Sequence, residues 1–174
     1  MKAICFIGAR GGSKGVPRKN IREFAGKPLI AHTIKSALDS NIFSDVIVST
    51  EDKEIAKIAK KYGASVPFMR PQNLATDNAG MDKVIFHAIK KLRKLGYQFD
   101  ILVNRDCTVP FIRNQDIKGT IDLLKSSKSD AVYGVYQQHH NPYFNMMESN
   151  SKGFLTMSKS IGERVKSRQT APVV

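Results

Sequence analysis

The sequence predicts a single α/β domain over residues 1–174, built on a doubly wound, mostly parallel sheet. Three observations carry that expectation. Short apolar runs rich in strand formers alternate along the chain with amphipathic helical stripes. Several of these runs are apolar throughout, as strands covered on both faces are. A glycine-dense loop follows the first run directly, and α/β folds place their ligand loops beyond the carboxyl ends of strands.

Residues 2–7 form the first apolar run and read as a buried strand. Gly8, Gly11, Gly12 and Gly15, followed by Pro17, leave neither strand nor helix possible over 8–15, so this stretch is a loop. Leu29, Ile30, Ile34, Ala37 and Leu38 make a helical stripe over 28–38, with Pro28 suited to a first turn. A second strand covers 46–49, and Asp52 then caps a helix carrying Ile55, Ala56, Ile58 and Ala59. A third, shorter strand is expected over 64–69. The longest periodic stretch is 80–95, with Met81, Val84, Ile85, Ala88, Leu92 and Leu95 on one side and Gly96 as its stop. A strand over 101–103, a helix over 117–124 and a strand over 131–136 complete the core pattern. From 139 to 153 the periodicity breaks, which reads as an excursion from the core.

Composition narrows the function. Hydrophobic residues make up 41% of the 174 positions and charged residues 25%, so a packed core is expected. The net charge of +13 excludes an acidic solvating protein and points to anionic partners. Seven basic residues stand against Glu23 in the first thirty positions, and five against Glu163 in 151–174. Charge gathered at two places suggests two walls of a pocket more than a nucleic-acid footprint. The chain has no Trp, 8% aromatic residues and no groove-reading motif, so no nucleic-acid partner is expected. The apolar run 3–7 ends at Gly8 and Arg10, too short for a signal-peptide core or a membrane span. A cytoplasmic chain with no membrane partner is the expectation. Cys5 and Cys107 form no C-x-x-C pair, which argues against a disulfide framework or a thiolate zinc site.

The loop ARGGSKGVPRKN at 9–20 carries the chemistry. Glycines let backbone N–H groups approach phosphate oxygens, Ser13 adds a hydroxyl donor, and Arg10, Lys14, Arg18 and Lys19 can neutralise a triphosphate; a basic surface turn with glycines for geometry only is the other reading. A cation at the α-phosphate stabilises the charge that develops on transfer. The spacing matches neither G-x-G-x-x-G nor the P-loop, which disfavours a NAD enzyme or a P-loop ATPase.

Read as one string, this loop resembles the signature of the CMP-sialic acid synthetases, or acylneuraminate cytidylyltransferases. Further segments in order strengthen the resemblance: Val48-Ser49-Thr50-Glu51-Asp52, Arg70-Pro71 with Leu74-Ala75-Thr76-Asp77, Thr108-Val109-Pro110, His139-His140 and Ser167-Arg168-Gln169. The resemblance implies a Rossmann-like nucleotidyltransferase fold and transfer of CMP from CTP to the anomeric hydroxyl of a nonulosonic acid, with Mg²⁺ and release of pyrophosphate. It implies catalytic roles for Arg10 and Lys19. Nucleotide contacts fall to Arg10, Gly11, Gly12, Ser13, Lys19, Asn20, Arg70 and Asp77, with Arg70 and Asp77 around cytosine and ribose. Sugar contacts fall to Asp106, Thr108, His139, His140, Arg168 and Gln169. A homodimer through residues 138–166 is implied as well.

The chain departs from the family pattern in three places. Asp106 stands where members commonly carry Gln, and Arg113 lies one position late. Members also continue past the R-Q-x-x-P segment with residues that supply metal-binding aspartates, so the chain is expected to be partial. Asp106 is then the one metal candidate within it. Two alternatives stand beside this reading: a related sugar nucleotidyltransferase with another nucleotide or acceptor, and a basic nucleic-acid-binding module.

Overall fold

The computed structural model describes residues 1–127, 129–135, 140–162, 165 and 170–173. These divide into two compact units, Met1–Val132 and Tyr133–Val174.

The first unit is organised by β1 (Ala3–Gly8), whose Ile4, Cys5, Phe6 and Ile7 are fully enclosed. This burial follows from position, because β1 is the central strand of a three-stranded parallel sheet. A central strand has both faces covered, and its side chains are accordingly apolar on both. A two-strand hairpin, β2 (Glu23–Phe24) and β3 (Lys27–Pro28), leads into α1 (Leu29–Asp39). Ile30, Ile34 and Ala37 of α1 bury one stripe against the sheet. β4 (Asp45–Ser49) returns parallel to β1, pairing Ile4 with Asp45 and Gly8 with Ser49.

Asp52 caps α2 (Lys53–Lys61), its Oδ1 accepting the N–H groups of Glu54 and Ile55 at 2.9 Å each. Gly63 ends that helix at φ +95, where a Cβ would also lie 2.9 Å from Leu38 Cδ1. The backbone conformation therefore favours glycine there, while the exposed Leu38 side chain could move aside for a Cβ. α3 (Met81–Lys94) packs Val84, Ala88 and Leu92 on the opposite face of the sheet, against Ile4, Phe6 and Ile47. β5 (Ile101–Asn104) pairs with the other side of β1, and α4 (Asn114–Ser127) buries Ile117 and Ile121 against Ala3 and Ile101. Helices on both faces of a parallel sheet in the order β4-β1-β5 bear out the doubly wound fold class.

Two expected strands do not form. Over 64–69 only Ser65 makes a single parallel bridge, to Ile47, because Pro67 removes a backbone donor two residues further on. Residues 131–135 form no strand, and Tyr133 and Val135 are 80% and 90% exposed. A strand-forming composition yields a strand only where a neighbour supplies the ladder bonds. In the second unit, β6 (Met147–Ser149) and β7 (Leu155–Met157) make an antiparallel hairpin that begins in the aperiodic stretch 139–153 and ends just past it. Asn141 ties this unit internally, donating from Nδ2 to the Pro172 carbonyl at 2.8 Å.

Candidate functional site

The strand order of the first unit sets the place of the site. The chain leaves β1 toward β4 on one side and later returns to β5 on the other. A crevice therefore opens beyond the carboxyl ends of β1 and β5. The glycine-dense loop leaves β1 there, and Asp106 follows β5 by two residues.

A cavity of about 450 Å³ occupies this crevice. Arg10, Ser13, Lys14 and Lys19 line it from the loop, Arg70 and Asp106 from the ends of neighbouring segments, and Asn20 from a one-turn 3-10 helix. Leu74, Met81 and Val84 supply an apolar wall. Among the residues implicated by sequence, the structure thus brings Arg10, Ser13, Lys19, Asn20, Arg70 and Asp106 to one cavity.

Arg70, Asn20, Asp106 and Arg10 are held in place by specific contacts. Arg70 is 5% exposed; its Nη2 donates to the Ser49 carbonyl at 2.5 Å and its Nε to Ser49 Oγ at 3.2 Å. Burial pulls its guanidinium below the usual range, with Glu51 opposing that and Arg10 adding to it. Asn20 donates from Nδ2 to the Arg10 carbonyl at 2.9 Å, which fixes the loop's path. Asp106 accepts the Thr108 N–H and hydroxyl on one oxygen, both at 2.8 Å. Thr108 is exposed and outside the cavity lining, where it holds the Asp106 turn. Asp77 pairs with Arg10 at 2.8 Å and Lys14 at 2.6 Å.

Gly11 and Gly12 do not line the cavity. The Gly11 N–H donates to Glu51 Oε1 at 2.6 Å, and a Cβ at Gly11 would lie 2.6 Å from Asp52 Oδ2. Gly11 therefore serves the close approach of the loop to α2. Gly12 faces open space, with nothing within 4 Å of a Cβ. His140 is exposed and belongs to the second unit. His139, Arg168 and Gln169 lie outside the described residues, as do Arg164 and Lys166 of the second basic stretch.

Sequence reasoning missed three features. In sequence Glu51 stands only within the segment Val48–Asp52, which gives no sign of its contact with the loop at Gly11. Leu74 and Met81 at the cavity wall belonged to a motif and a helical stripe that gave no sign of a ligand. Arg105 is 2% exposed on the face of the sheet covered by α1, with Nη1 on Ser36 Oγ at 3.2 Å and Nε and Nη2 unpartnered. Next to it, burial pushes the Cys107 thiol up to about 12, so this thiol stays protonated and unreactive.

No group of three or more metal-ligating side chains occurs among the described residues. Asp106 lines the cavity, and one of its carboxylate oxygens is free of the Thr108 contacts. One carboxylate together with substrate phosphates suits Mg²⁺, which keeps much of its water.

An α/β domain with a cationic cavity at the carboxyl edge of its parallel sheet is the architecture of a nucleotide-handling protein. A family model described as cytidylyltransferase matches residues 4–166, and the chain belongs to that family. It is 46% identical over 135 residues to a pseudaminic acid cytidylyltransferase of Campylobacter jejuni, covering 78% of this chain and 58% of that protein. It is 39% identical over 132 residues to a CMP-N,N'-diacetyllegionaminic acid synthase of Legionella pneumophila, covering 76% and 57%. A solved CMP:2-keto-3-deoxy-manno-octonic acid synthetase, complexed with CTP, superposes with a TM-score of 0.61 at 25% identity, covering 74% of this chain and 49% of that one. The chain thus spans less than two thirds of the length of these relatives.

Proposed function

We propose that the chain is the CTP-binding part of a cytidylyltransferase that transfers CMP to the anomeric hydroxyl of a sialic-acid-like 2-keto sugar acid. The cavity carries this reading. Arg10, Lys14 and Lys19 converge on one space with Arg70 behind it, and a triphosphate needs such a set of cations. The names of the relatives add the substrate class, since pseudaminic and legionaminic acids are nonulosonic acids. In the reaction the sugar hydroxyl oxygen bonds the α-phosphorus. The bond from that phosphorus to the bridging oxygen breaks, pyrophosphate leaves, and the hydroxyl releases its proton. Arg10 and Lys19 are the catalytic residues in this reading, stabilising charge on the phosphates as it shifts toward the leaving group. Ser13, Asn20 and Arg70 shape the nucleotide end, and Asp106 faces the acceptor.

Mg²⁺ belongs to the proposal, with Asp106 as the ligand this chain would offer; when bound, it neutralises phosphate charge. A homodimer does too. Within the second unit, Met147, Phe154 and Leu155 are 58%, 68% and 68% exposed on and beside the β6–β7 hairpin. Apolar side chains gathered in this way mark a surface that another chain covers. The enzyme works in the cytoplasm in this account.

The test is pyrophosphate release from CTP, ATP, GTP and UTP with Mg²⁺ and a panel of pseudaminic, legionaminic and N-acetylneuraminic acids. The proposal expects release only with CTP and a nonulosonic acid, with the CMP-sugar found by mass spectrometry. Release with another nucleotide in preference to CTP contradicts it.

A further inference from the structure

The acids around the glycine-dense loop fall into two kinds. Asp52 accepts two backbone N–H groups of α2 and the Arg18 guanidinium, and its side chain is only 17% exposed. Glu51 accepts the Gly11 N–H, and its second oxygen is enclosed. Both are built into the framework. Asp77 differs from them in every respect. It lies outside any helix or strand and is 41% exposed, and its partners among the described residues are the two loop cations alone. Oδ1 meets Arg10 Nη2 at 2.8 Å and Oδ2 meets Lys14 Nζ at 2.6 Å. The two oxygens of one carboxylate thus bridge two cations, as two oxygens of a phosphate do. Both cations line the cavity, and so do Leu74, Thr76 and Ala79 of Asp77's own segment.

We infer that Asp77 is an internal counter-anion that occupies the Arg10–Lys14 pair in the resting protein and competes with phosphate for it. This rests on reading the cavity as the phosphate site. It gives Asp77 a role opposite in sign to that of a nucleotide contact: the carboxylate weakens polyanion binding. Lys14 first and then Arg10 hold its carboxyl below the usual carboxylate range, so it stays charged at neutral pH and keeps competing. Ion pairs this exposed are weak, so a phosphate displaces Asp77 at modest cost. Until then the carboxylate spares two cations from facing each other and Arg70 unpaired. Asp77 thereby sets the affinity of the loop for phosphate and speeds the release of a polyphosphate product.

Inorganic tripolyphosphate tests this, because it has neither base nor ribose. Titrated calorimetrically at low and high salt, Asp77→Asn is expected to bind it about three- to tenfold tighter than the wild type at low salt, the gain shrinking as salt screens the charge. Asp39→Asn, which removes the same charge at the far end of α1, is expected to leave binding within twofold. Asp77→Asn binding no tighter than the wild type overturns the inference and leaves the cavity reading intact. An equal gain in Asp39→Asn also overturns it, as a generic effect of net charge. Binding by none of the three proteins overturns the cavity reading and the inference together.

Discussion

Replacing Asp52 by Ala removes two contributions that the structure keeps separable. The carboxylate caps α2 through the Glu54 and Ile55 N–H groups, both at 2.9 Å, and loss of such a cap costs about 1 kcal/mol, within a range of roughly 0.5–2. It also holds Arg18, which in turn reaches Glu54 Oε2 at 2.6 Å; with Arg18 42% exposed, this pair adds roughly 0.2–1 kcal/mol. Together they give about 1–2 kcal/mol, or roughly 2–8 °C in Tm for a chain of this size. Asp52→Asn keeps a capping oxygen and loses the charge, so it is expected to lose only the smaller part. The pH dependence has a definite sign. The Arg18 hydrogen bond, aided by the backbone N–H groups, holds the folded carboxyl below its unfolded value near 4. Its stabilisation is therefore complete above that value and lost as pH falls through the folded one. Thermal melts of the wild type, Asp52→Ala and Asp52→Asn from pH 7 down to pH 3 are the assay. The gap between wild type and Asp52→Asn should close toward pH 3. A gap that is constant with pH, or an Asp52→Ala protein melting with the wild type, refutes the reasoning.

The remaining predictions concern the loop and its surroundings. Lys19→Ala removes a charge-assisted contact to phosphate worth roughly 1.5–3 kcal/mol, so CTP affinity should fall about 10- to 150-fold, read by calorimetry. Unchanged affinity removes Lys19 from the site. Gly11→Ala and Gly12→Val should behave differently. The first drives a Cβ into Asp52 and lowers Tm, whereas the second meets open space outside the cavity lining and keeps both the wild-type Tm and the wild-type CTP affinity. Weakened CTP binding by a normally melting Gly12→Val protein contradicts this and puts the glycine against the ligand. Arg105→Met replaces a buried guanidinium that has two unpartnered nitrogens with an apolar chain of similar length, and should raise Tm by an amount of order 1 kcal/mol in stability. A fall in Tm contradicts the view that this charge is a burden on the core.

Much of the first unit was legible because its signals are local. The apolar run of β1, the Asp52 cap and the stripes of α1 and α3 each need only neighbours in sequence to be read. Arg10, Lys14 and Lys19 of the loop were legible as a cluster of cations for the same reason, and the cavity gathers these three, whereas Arg18 turns instead to Asp52 and Glu54. What escaped depends on partners far along the chain. Glu51 meets Gly11 across forty positions, and Arg105 is buried because α1 closes over it from sixty-nine positions away. The stretches 64–69 and 131–135 have strand composition, yet a strand needs a partner, and composition does not say where one is. Asp77 illustrates the limit within a motif that was recognised. Its place was legible, and its pairing with Arg10 and Lys14 was not.

The central claim, that the cavity beyond β1 and β5 is a cytidine triphosphate site, is tested most directly by thermal shift. The chain would be melted with CTP, ATP, GTP, UTP and a short oligonucleotide, with Mg²⁺, at low and high salt. A ligand at 100 times its Kd stabilises by about 2.7 kcal/mol, which corresponds to roughly 5–10 °C here. The account predicts a shift of that order for CTP, larger than for the other nucleotides and retained at high salt. Equal shifts for every polyanion, vanishing as salt rises, contradict it.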